Sequence, residues 1–348
     1  MFLHALSTAV PSPTFSQSEC WEKLDRSGAR TKLNRRSMLT LHALLQRDTS
    51  IQTRHFALPE IEEVINYDAD RLNDYFRAAA PALAGEALTR ALDQAGLTVA
   101  QLDALLVCTC TGYLCPGISS YVAQQLGLRT DAYLQDLVGL GCGAAIPTLR
   151  AADALLARDP DAVVATVAVE ICSAAFYLDD DPGVLISACL FADGAAAAIW
   201  RNTPGSHALR VADFATLHLP EERDKLRFEQ RGGRLRNLLH PTVPQLAGTA
   251  VQRLFQREQE RAGARPIRRI VAHPGGRDVI DSLEAAVPGF TLDASRRVLR
   301  DNGNLSSPSV LFVLAEALQE RAPIADEDWW LVSFGAGFSA HSCRLRRE

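Results

Sequence analysis

Long apolar runs, an excess of positive charge and a secretion signal are all missing from this sequence of 348 residues. No apolar run approaches the roughly 20 residues that a membrane helix needs, so we expect no integral membrane segment. The formal net charge of −5 gives no general electrostatic support for a nucleic-acid partner. The start of the chain, Met1 to His4, lacks the basic region and apolar stretch of a signal peptide, and the expected location is the cytoplasm.

Paired zinc ligands are missing too, although the chain has eight cysteines. Cys108, Cys110 and Cys115 are close in sequence, but no second Cys/His pair at zinc spacing accompanies them. Most of the cysteines lie in apolar surroundings, and in a reducing compartment such residues are usually small buried thiols. We therefore expect no metal. The composition, 47% hydrophobic and 22% charged, is typical of a globular protein with a substantial core.

The most informative stretch is Gly141-Cys142-Gly143. It lies between an apolar run, residues 133–140, and a helix-like run, residues 144–157. A substrate can approach a cysteine closely when glycines flank it, and the N–H groups at the start of a helix favour a thiolate over a thiol. The pattern indicates a covalent nucleophile. A buried structural thiol is the alternative for this cysteine taken alone.

The chain also repeats itself at a shift of 163 residues. In this register a strand-like run, a helix end and a second strand-like run align without a gap. The aligned segments are residues 105–110 with 268–273, residues 152–160 with 315–323, and residues 162–169 with 329–334. Agreement at three kinds of element predicts an internal duplication of a strand–helix–strand unit.

The duplication predicts an α/β protein with two related halves, residues 1–204 and 205–348. Their boundary is expected near residues 202–208, where Asn, Thr, Pro, Gly and Ser read as a linker. Alternating strands and helices predict sheets covered by helices. Two similar halves packed around a pseudo-two-fold axis would bring equivalent elements of each half to one pocket.

His273 and Asn304 are the residues that this symmetry would bring to Cys142. His273 ends an apolar strand and enters a glycine turn, and Asn304 begins a helix. A histidine beside Cys142 would stabilise a thiolate as an imidazolium pair, and the two N–H groups could hold an enolate or oxyanion. Taken alone, the histidine could be a core or turn residue and the asparagine a turn or cap residue.

With these motifs in place, the chain resembles the type III polyketide synthases, the chalcone-synthase-like branch of the thiolase superfamily. The resemblance covers nearly the whole chain, and its motifs occur in family order. They are Val107-Cys108-Thr109, Gly141-Cys142, residues 190–197, residues 272–276, residues 303–307 and residues 334–337. The resemblance implies a thiolase fold, a duplicated αβαβα layered architecture.

The resemblance also implies roles for the residues that match. Cys142 would carry the acyl starter and the growing polyketide chain. His273 and Asn304 would bind the thioester carbonyl of malonyl-CoA and stabilise the enolate left by decarboxylation, and His273 would keep Cys142 ionised. Phe191 would be a gate between the CoA tunnel and the cavity. The family forms homodimers in which one protomer reaches into its partner's cavity, and Cys115 occupies that position.

The cavity positions suggest a starter. Cys110, Cys172 and Ala175 stand where plant chalcone synthases carry threonines, and their small or less polar side chains leave room for an apolar starter. The segments 108–117 and 227–237 look most like bacterial alkylresorcinol and alkylpyrone synthases. We therefore expect a fatty acyl starter, extended by malonyl-CoA. No metal or organic cofactor is implied, because CoA thioesters are the substrates.

Two further sets of residues follow from the resemblance. Glu170, Ser306 and Cys110 correspond to a hydrogen-bonded set that activates water before aldol closure in some family members, and a weak thiol donor there would favour a pyrone over a resorcinol. For Glu170, a paired buried carboxylate that orders the core is the alternative. Arg54 would meet the CoA phosphates. The region is otherwise short of cations, which leaves open a starter delivered by a carrier protein.

Two other functions remain compatible with these residues. An initiating ketoacyl-carrier-protein synthase shares the Cys, His and Asn trio, but its histidine motif usually continues Gln-Ala-Asn, whereas this chain has Pro274-Gly275-Gly276. A non-catalytic thiolase-fold partner subunit is the second alternative. Retention of all three reactive residues argues against it.

Overall fold

This computed structural model describes residues 1–47, 50–58, 61, 68–205, 208–261 and 265–348. The strands are β1 Phe2–Ala9, β2 Thr14–Ser16, β3 Thr53–His55, β4 Ala104–Thr109, β5 Tyr133–Val138, β6 Val164–Glu170, β7 Gly194–Arg201, β8 Leu209–His218, β9 Leu226–Arg231, β10 Arg234–Leu239, β11 Ile267–Ala272, β12 Asp328–Gly335 and β13 Ser339–Arg347.

The described α-helices connect these strands. They are α1 Gln17–Arg26, α2 Ala29–Lys32, α3 Arg35–Gln46, α4 Ala69–Ala95, α5 Ile118–Leu126, α6 Ala145–Arg158, α7 Pro182–Leu190, α8 Val243–Gln259, α9 Arg277–Ala286, α10 Asp293–Asn302 and α11 Ser309–Glu320. Short 3₁₀ turns precede α6, at Gly141–Gly143, and α7, at Cys172–Ala175. Within the described ranges, no helix is both long enough and apolar enough to cross a membrane.

Nine strands form one sheet, in the order β11-β12-β13-β8-β1-β7-β6-β4-β5. The order is symmetric about the contact between β8 and β1, where only Phe2 with Arg210 and Leu3 with Leu209 are paired. On each side two antiparallel pairings are followed by one parallel pairing. β5 is added at one edge and pairs in parallel with β4.

The predicted duplication is confirmed. β4 and β11 begin and end 163 residues apart, at residues 104 and 267 and at residues 109 and 272. α6 and α11 agree with the same shift to within one residue at each end. Strand β5 lies outside the symmetric part of the sheet order.

The strands alternate between two layers of core. In β7, Ala196 and Trp200 belong to the central cluster, whereas Ala197 and Ile199 belong to the cluster beneath α4. α6 and α11 contact strands of both halves and form the central layer, while α4 lies on the outer face of the first half and α8 on that of the second. Outer helix, one half of the sheet, central helices, the other half of the sheet and outer helix therefore follow one another, which confirms the layered αβαβα architecture.

The expected boundary between the halves follows β7. Asn202 lies just after this strand and its side-chain amide donates a hydrogen bond to the carbonyl oxygen of Leu156 (2.7 Å). Ser206, part of the expected linker, lies outside the described residues. The division into residues 1–204 and 205–348 stays a prediction.

Candidate active site

The turn that carries Cys142 is held by the second half of the chain. Cys142 is buried in the 3₁₀ turn between β5 and α6. Gly335, at the end of β12, lies so close that a Cβ atom there would be 2.6 Å from the Gly143 nitrogen and the Leu140 carbonyl oxygen. Gly335 therefore supports the nucleophile turn itself, because only a residue without a side chain allows this approach.

His273 and Asn304 reach the same place from the second half. His273 follows β11, where its N–H donates to the Val332 carbonyl oxygen (2.9 Å) and its ring meets Phe334 edge-on at 5.1 Å. Asn304 accepts from the Ser306 N–H (2.8 Å) through its side-chain oxygen. Its amide nitrogen donates to a backbone carbonyl at residue 275 (3.2 Å). The amide orientation is fixed, because the oxygen is already engaged by a donor.

Cys142, His273, Asn304 and Phe191 line one cleft of about 650 Å³, which we call the outer cleft. The sequence prediction placed the first three in one pocket, and the structure brings them together. Their chemical roles stay predictions at this point. Such a cleft, with few polar groups on apolar walls, is the usual form of a small-molecule site.

The electrostatics of the outer cleft differ from the expected ion pair. Burial raises the pKa of the Cys142 thiol to about 12 and lowers the pKa of the His273 imidazole to about 3. The neighbour that contacts the sulfur is Ser306, whose hydroxyl donates to it at 3.2 Å. Among the described residues His273 Nδ1 has no hydrogen-bond partner. Both shifts favour the neutral forms of the thiol and the imidazole, and the role of His273 in keeping Cys142 ionised stays a prediction.

Glu170 is the hub of a buried hydrogen-bond network and does not line the outer cleft. Its side chain is fully buried at the end of β6. Its carboxylate accepts from two backbone N–H groups and four hydroxyls. These are the N–H groups of Cys110 and Thr111 and the hydroxyls of Thr109, Thr111, Ser306 and Ser307. Since a carboxylate offers about four lone-pair sites, none is left for a substrate. A direct substrate contact by Glu170 is therefore not supported, and the structural alternative fits.

Ser306 links this network to the nucleophile. It has a backbone φ of 59°, which is unusual for a residue with a side chain. Its hydroxyl lies 3.2 Å from the sulfur of Cys142, 3.2 Å from the sulfur of Cys110 and 3.4 Å from Glu170. The predicted set of Cys110, Glu170 and Ser306 is thus assembled.

Phe191 separates two pockets. It lines the outer cleft and also a smaller space of about 30 Å³, which we call the inner pocket. Cys172, Ala175 and Ser306 line the inner pocket, as does Phe176. The segment of Phe191 is fixed by backbone hydrogen bonds to the Asn304 segment. The role of Phe191 as a gate stays a prediction, and the inner pocket has room for about two water molecules.

Arg54 does not meet the outer cleft. Its side chain is 2% exposed, and its guanidinium donates to Gln17 (2.9 Å) and to the carbonyl oxygens of Ala188 (2.6 Å) and Phe191 (3.0 Å). It also lies over the Phe56 ring at 4.9 Å. The expected contact with CoA phosphates is contradicted, because the donors are enclosed and already used. Arg54 instead caps the carbonyl end of α7.

Cys115 lies apart from these residues. It is exposed, in the loop after β4, and it lines neither the outer cleft nor the inner pocket. Apolar side chains nearby in sequence are also exposed: Tyr113, Tyr133, Leu134 and Val138, the last three on the edge strand β5. Its predicted role in a partner's cavity stays a prediction.

Sequence reasoning missed several residues of the site. Thr111 and Ser307 hold Glu170, and they belong to segments quoted for the family resemblance. Phe228, Leu235 and Asn237 come from the β9–β10 hairpin and close the inner pocket. That hairpin was noted only for its likeness to bacterial synthases. Alternation along β10 is a signal that could have found Leu235 and Asn237, because residues two apart face one side of a strand.

Comparison with known proteins identifies the family. Residues 2–204 match the N-terminal domain of the chalcone and stilbene synthases, and residues 211–347 match the C-terminal domain. A 1,3,6,8-tetrahydroxynaphthalene synthase of Streptomyces peucetius subsp. caesius is 33% identical over 98% of this chain and 92% of its own. A 3,5-dihydroxyphenylacetyl-CoA synthase of Streptomyces toyocaensis is 29% identical over 95% of this chain and 86% of its own.

Solved structures show the same fold. The crystal structure of the 1,3,6,8-tetrahydroxynaphthalene synthase of Streptomyces coelicolor A3(2), a bacterial type III polyketide synthase, superposes with a TM-score of 0.89 at 24% identity, covering 100% of this chain and 99% of that chain. PKS-I from the brown alga Ectocarpus siliculosus gives a TM-score of 0.89 at 22% identity, covering 100% and 98%.

The expected likeness to alkylresorcinol and alkylpyrone synthases is not what these relatives show, since their names describe polyhydroxylated aromatic products. The prediction of a type III polyketide synthase is confirmed, and the two alternatives, a ketoacyl-carrier-protein synthase and a non-catalytic partner subunit, lose their support. The chain belongs to the chalcone and stilbene synthase family and is a type III polyketide synthase, an acyltransferase with the thiolase fold.

Proposed function

We propose that the enzyme builds a polyketide on Cys142 by decarboxylative condensation with malonyl-CoA. The thiol sulfur attacks the starter thioester, the neutral His273 imidazole takes the proton, and the carrier thiolate leaves. Malonyl-CoA then loses CO2, and its enolate attacks the acyl carbon on Cys142, which releases the Cys142 thiolate and forms a new carbon–carbon bond. The observation that carries this proposal is the convergence of Cys142, His273 and Asn304 on one cleft.

His273 and Asn304 suit the enolate step. Burial lowers the pKa of the His273 imidazole, which favours a neutral ring with one N–H donor. The Asn304 amide is held in one orientation, because its oxygen accepts from the Ser306 N–H and its nitrogen donates to the Gly275 carbonyl oxygen. Donors fixed before the reaction stabilise developing negative charge on an oxygen most strongly when water is excluded. Both side chains are buried, which satisfies that condition.

For the product, we favour a compact polyhydroxylated aromatic ring made from a short starter. The names of the relatives describe products of this kind. A fatty acyl starter giving an alkylpyrone or alkylresorcinol is the second candidate, and the apolar lining by Phe176, Val184, Phe228 and Leu235 favours it.

Mass spectrometry of products from a panel of thioester starters with malonyl-CoA tests both candidates. Malonyl-CoA alone should give a polyhydroxylated aromatic product, and Cys142→Ala should give none. Products only with long acyl starters would replace the first candidate by the second. No decarboxylation of malonyl-CoA by the unmutated enzyme, under any starter, would overturn the proposed reaction.

The same panel of thioester starters also tests whether a carrier protein delivers the starter. The described lining of the outer cleft includes Asp181, Asp224 and Asp278 but one arginine, Arg277, which already contacts Asp278 at 3.1 Å. CoA phosphates gain most from arginine forks, so this lining offers them little. Faster loading from an acyl-carrier protein than from the matching acyl-CoA would support carrier delivery.

A further inference from the structure

The hydroxyl of Ser306 lies against the sulfur of Cys142. The Ser306 side chain is buried, and its oxygen is 3.2 Å from that sulfur, in a geometry in which the hydroxyl donates and the sulfur accepts. Burial raises the pKa of the Cys142 thiol to about 12, and this hydrogen bond opposes the rise, because it stabilises the thiolate. The contact therefore acts on the atom that reacts.

Three acceptors surround the Ser306 hydroxyl, which has a single proton to give. Besides Cys142 they are the Cys110 sulfur, at 3.2 Å, and a carboxylate oxygen of Glu170, at 3.4 Å. Glu170 already accepts from two backbone N–H groups and three other hydroxyls, all at 3.2 Å or less. Since a carboxylate has about four lone-pair sites, this oxygen needs no further donor, and the proton goes to a sulfur.

Cys110 directs that proton toward Cys142. In the contact between Cys110 and Ser306 either atom can donate, whereas in the contact with Cys142 the hydroxyl is the donor. Because the hydroxyl has one proton, the Cys110 thiol donates to the Ser306 oxygen. Two hydrogen bonds in series, from Cys110 to Ser306 and from Ser306 to Cys142, thus end on the nucleophile.

The backbone holds Ser306 in an unfavourable conformation to reach this position. Its φ of 59° lies in the left-handed region, which residues with a side chain seldom adopt. Its N–H donates to the side-chain oxygen of Asn304 at 2.8 Å. One turn therefore fixes the Asn304 amide and also places a hydroxyl beside Cys142. Strain of this kind persists only where the surrounding structure determines it, and it is concentrated at active sites.

We propose that Ser306 is a catalytic residue whose hydroxyl stabilises the Cys142 thiolate that each condensation releases. The inference rests on the proposed function and adds a group to it. When the enolate carbon attacks the acyl carbon, a carbon–carbon bond forms, the bond from the acyl carbon to the Cys142 sulfur breaks, and its electron pair stays on the sulfur. Ser306 keeps its proton and donates to the developing charge. The hydrogen bond strengthens at this step, because a charged acceptor makes it about twice as strong as a neutral one.

Alkylation of Cys142 by iodoacetamide tests the contact in the free enzyme, without any substrate. Ser306→Ala removes the hydroxyl, and Ser306→Gly removes it while suiting the positive φ. We expect the rate to fall about three- to tenfold in both variants between about pH 6 and 9, because loss of the donor lowers the thiolate fraction. Thr109→Val, the matched control, removes a buried hydroxyl that donates to Glu170 at 3.2 Å. Its rate should stay within about twofold.

Product formation and malonyl-CoA decarboxylation, measured on the same samples, separate this inference from the proposed function. Product formation should fall at least about tenfold in both serine variants, the usual effect of losing a hydrogen bond to a charged group. Decarboxylation should stay within about twofold in Ser306→Ala, because the N–H that holds Asn304 is retained. Its absence in the unmutated enzyme would overturn the proposed function, whereas the contact with Cys142 is decided by alkylation alone.

Three results would overturn the role of the Ser306 hydroxyl. They are an unchanged alkylation rate in both serine variants, an equal fall in Thr109→Val, and slower alkylation with unchanged product formation. A fall in Ser306→Ala that Ser306→Gly does not share would also overturn it, by assigning the effect to the backbone. Should Ser306→Ala fail to fold, Ser306→Gly carries the test, because glycine adopts this φ without strain.

Discussion

At the scale of the residue, burial decides the resting chemistry of the site. The same enclosure that raises the pKa of Cys142 to about 12 lowers that of His273 to about 3, so the two groups are neutral together. A neutral pair protects the thiol from stray electrophiles and oxidants, because the thiolate is the reactive form. The nucleophile would then be generated as the substrate thioester arrives.

This resting state predicts how Cys142 reacts with iodoacetamide. Because its pKa lies near 12, the thiolate fraction, and with it the alkylation rate, should rise about tenfold per pH unit between about pH 6 and 9. Peptide mapping by mass spectrometry gives the rate, with the exposed Cys115 as internal reference. His273→Ala should leave this rate unchanged while depressing decarboxylation. A fast rate that is already level at pH 6 would show that the free enzyme holds the imidazolium–thiolate pair after all.

Cys110→Thr tests the hydrogen-bonded set around Ser306. The Cys110 sulfur lies 3.2 Å from the Ser306 hydroxyl, and a threonine hydroxyl there would be a far stronger donor. We expect the ratio of pyrone to resorcinol closure to fall severalfold, measured by mass spectrometry of products from one starter. Cys172→Thr, on the wall of the inner pocket, is the matched control. An equal ratio before and after the Cys110 change would remove this role.

Arg54→Met tests whether this arginine is structural. The change leaves two carbonyl oxygens at the end of α7 and Gln17 without their donor, which should lower the free energy of unfolding by about 2–4 kcal/mol. The KM for acyl-CoA should stay within about twofold, because the guanidinium is enclosed. Arg277→Ala, at the exposed rim of the outer cleft, is the control and should leave the free energy of unfolding nearly unchanged. A large rise in KM with unchanged melting for Arg54→Met would restore the phosphate role.

At the scale of the element, the end of β12 matters most, because it supports a turn from the other half of the chain. The 163-residue repeat gave β4 and β11 their common length, and helix periodicity gave α6. Neither pattern predicts the contact between Gly335 and the Cys142 turn, because this contact joins two elements that the repeat does not relate to each other. The glycine-rich motif was visible in the sequence, but its partner was not.

Gly335→Ala is the direct test of that contact. Gly335 has no positive φ, so alanine brings no backbone strain there and the effect comes from the 2.6 Å approach to Gly143 and Leu140. We expect kcat to fall by at least about tenfold, because displacement of a nucleophile by about 1 Å is costly. Gly289→Ala is the opposite control, with a φ of 92° but open space around it. It should lower stability by about 1 kcal/mol and leave kcat unchanged; the same kcat loss in both variants would contradict the argument.

Sequence patterns predict elements but not the tertiary contacts between them, and this explains the other differences between expectation and structure. Cys142 and His273 were predictable because they lie next to α6 and β11, elements that the duplication repeats. The prediction that Asn304 begins a helix was wrong, because Asn304 pairs with Phe191 in an isolated bridge and α11 begins only at Ser309.

Arg54 was misread because its role was carried over from the cationic residues that the family has in this segment, and only its tertiary neighbours Gln17 and Phe191 show that it is enclosed. Alternation along β10 could have placed Asn237 beside Leu235, but not shown that its side-chain oxygen is unpaired, because that depends on tertiary neighbours.

At the scale of the whole molecule, the sheet ends in an exposed apolar strand. β5 is the edge of the nine-stranded sheet, and Tyr133 and Val138 are each 50% exposed on it. An open edge with apolar side chains is a template for pairing with another chain. We propose that two copies pair through this edge and that Cys115, in the nearby loop, then reaches the partner's cavity.

Val138→Asp tests the dimer. A charge in the proposed interface should shift the mass measured by light scattering from dimer to monomer, with the circular dichroism spectrum unchanged. Ile324→Asp is the matched control, since Ile324 is an exposed apolar residue (59%) in the other half, far from β5 in sequence. A dimer that survives Val138→Asp but not Ile324→Asp would place the interface elsewhere.

The two unpartnered polar atoms on either side of Phe191 have a consequence for stability. His273 Nδ1 and the Asn237 side-chain oxygen are both buried, and neither has a hydrogen-bond partner among the described residues. A folded enzyme that keeps such atoms unpaired is less stable than it need be, and apolar residues of similar shape would raise its melting temperature while removing its chemistry. At His273, a gain in stability of this kind would remove the very group that the proposed reaction needs.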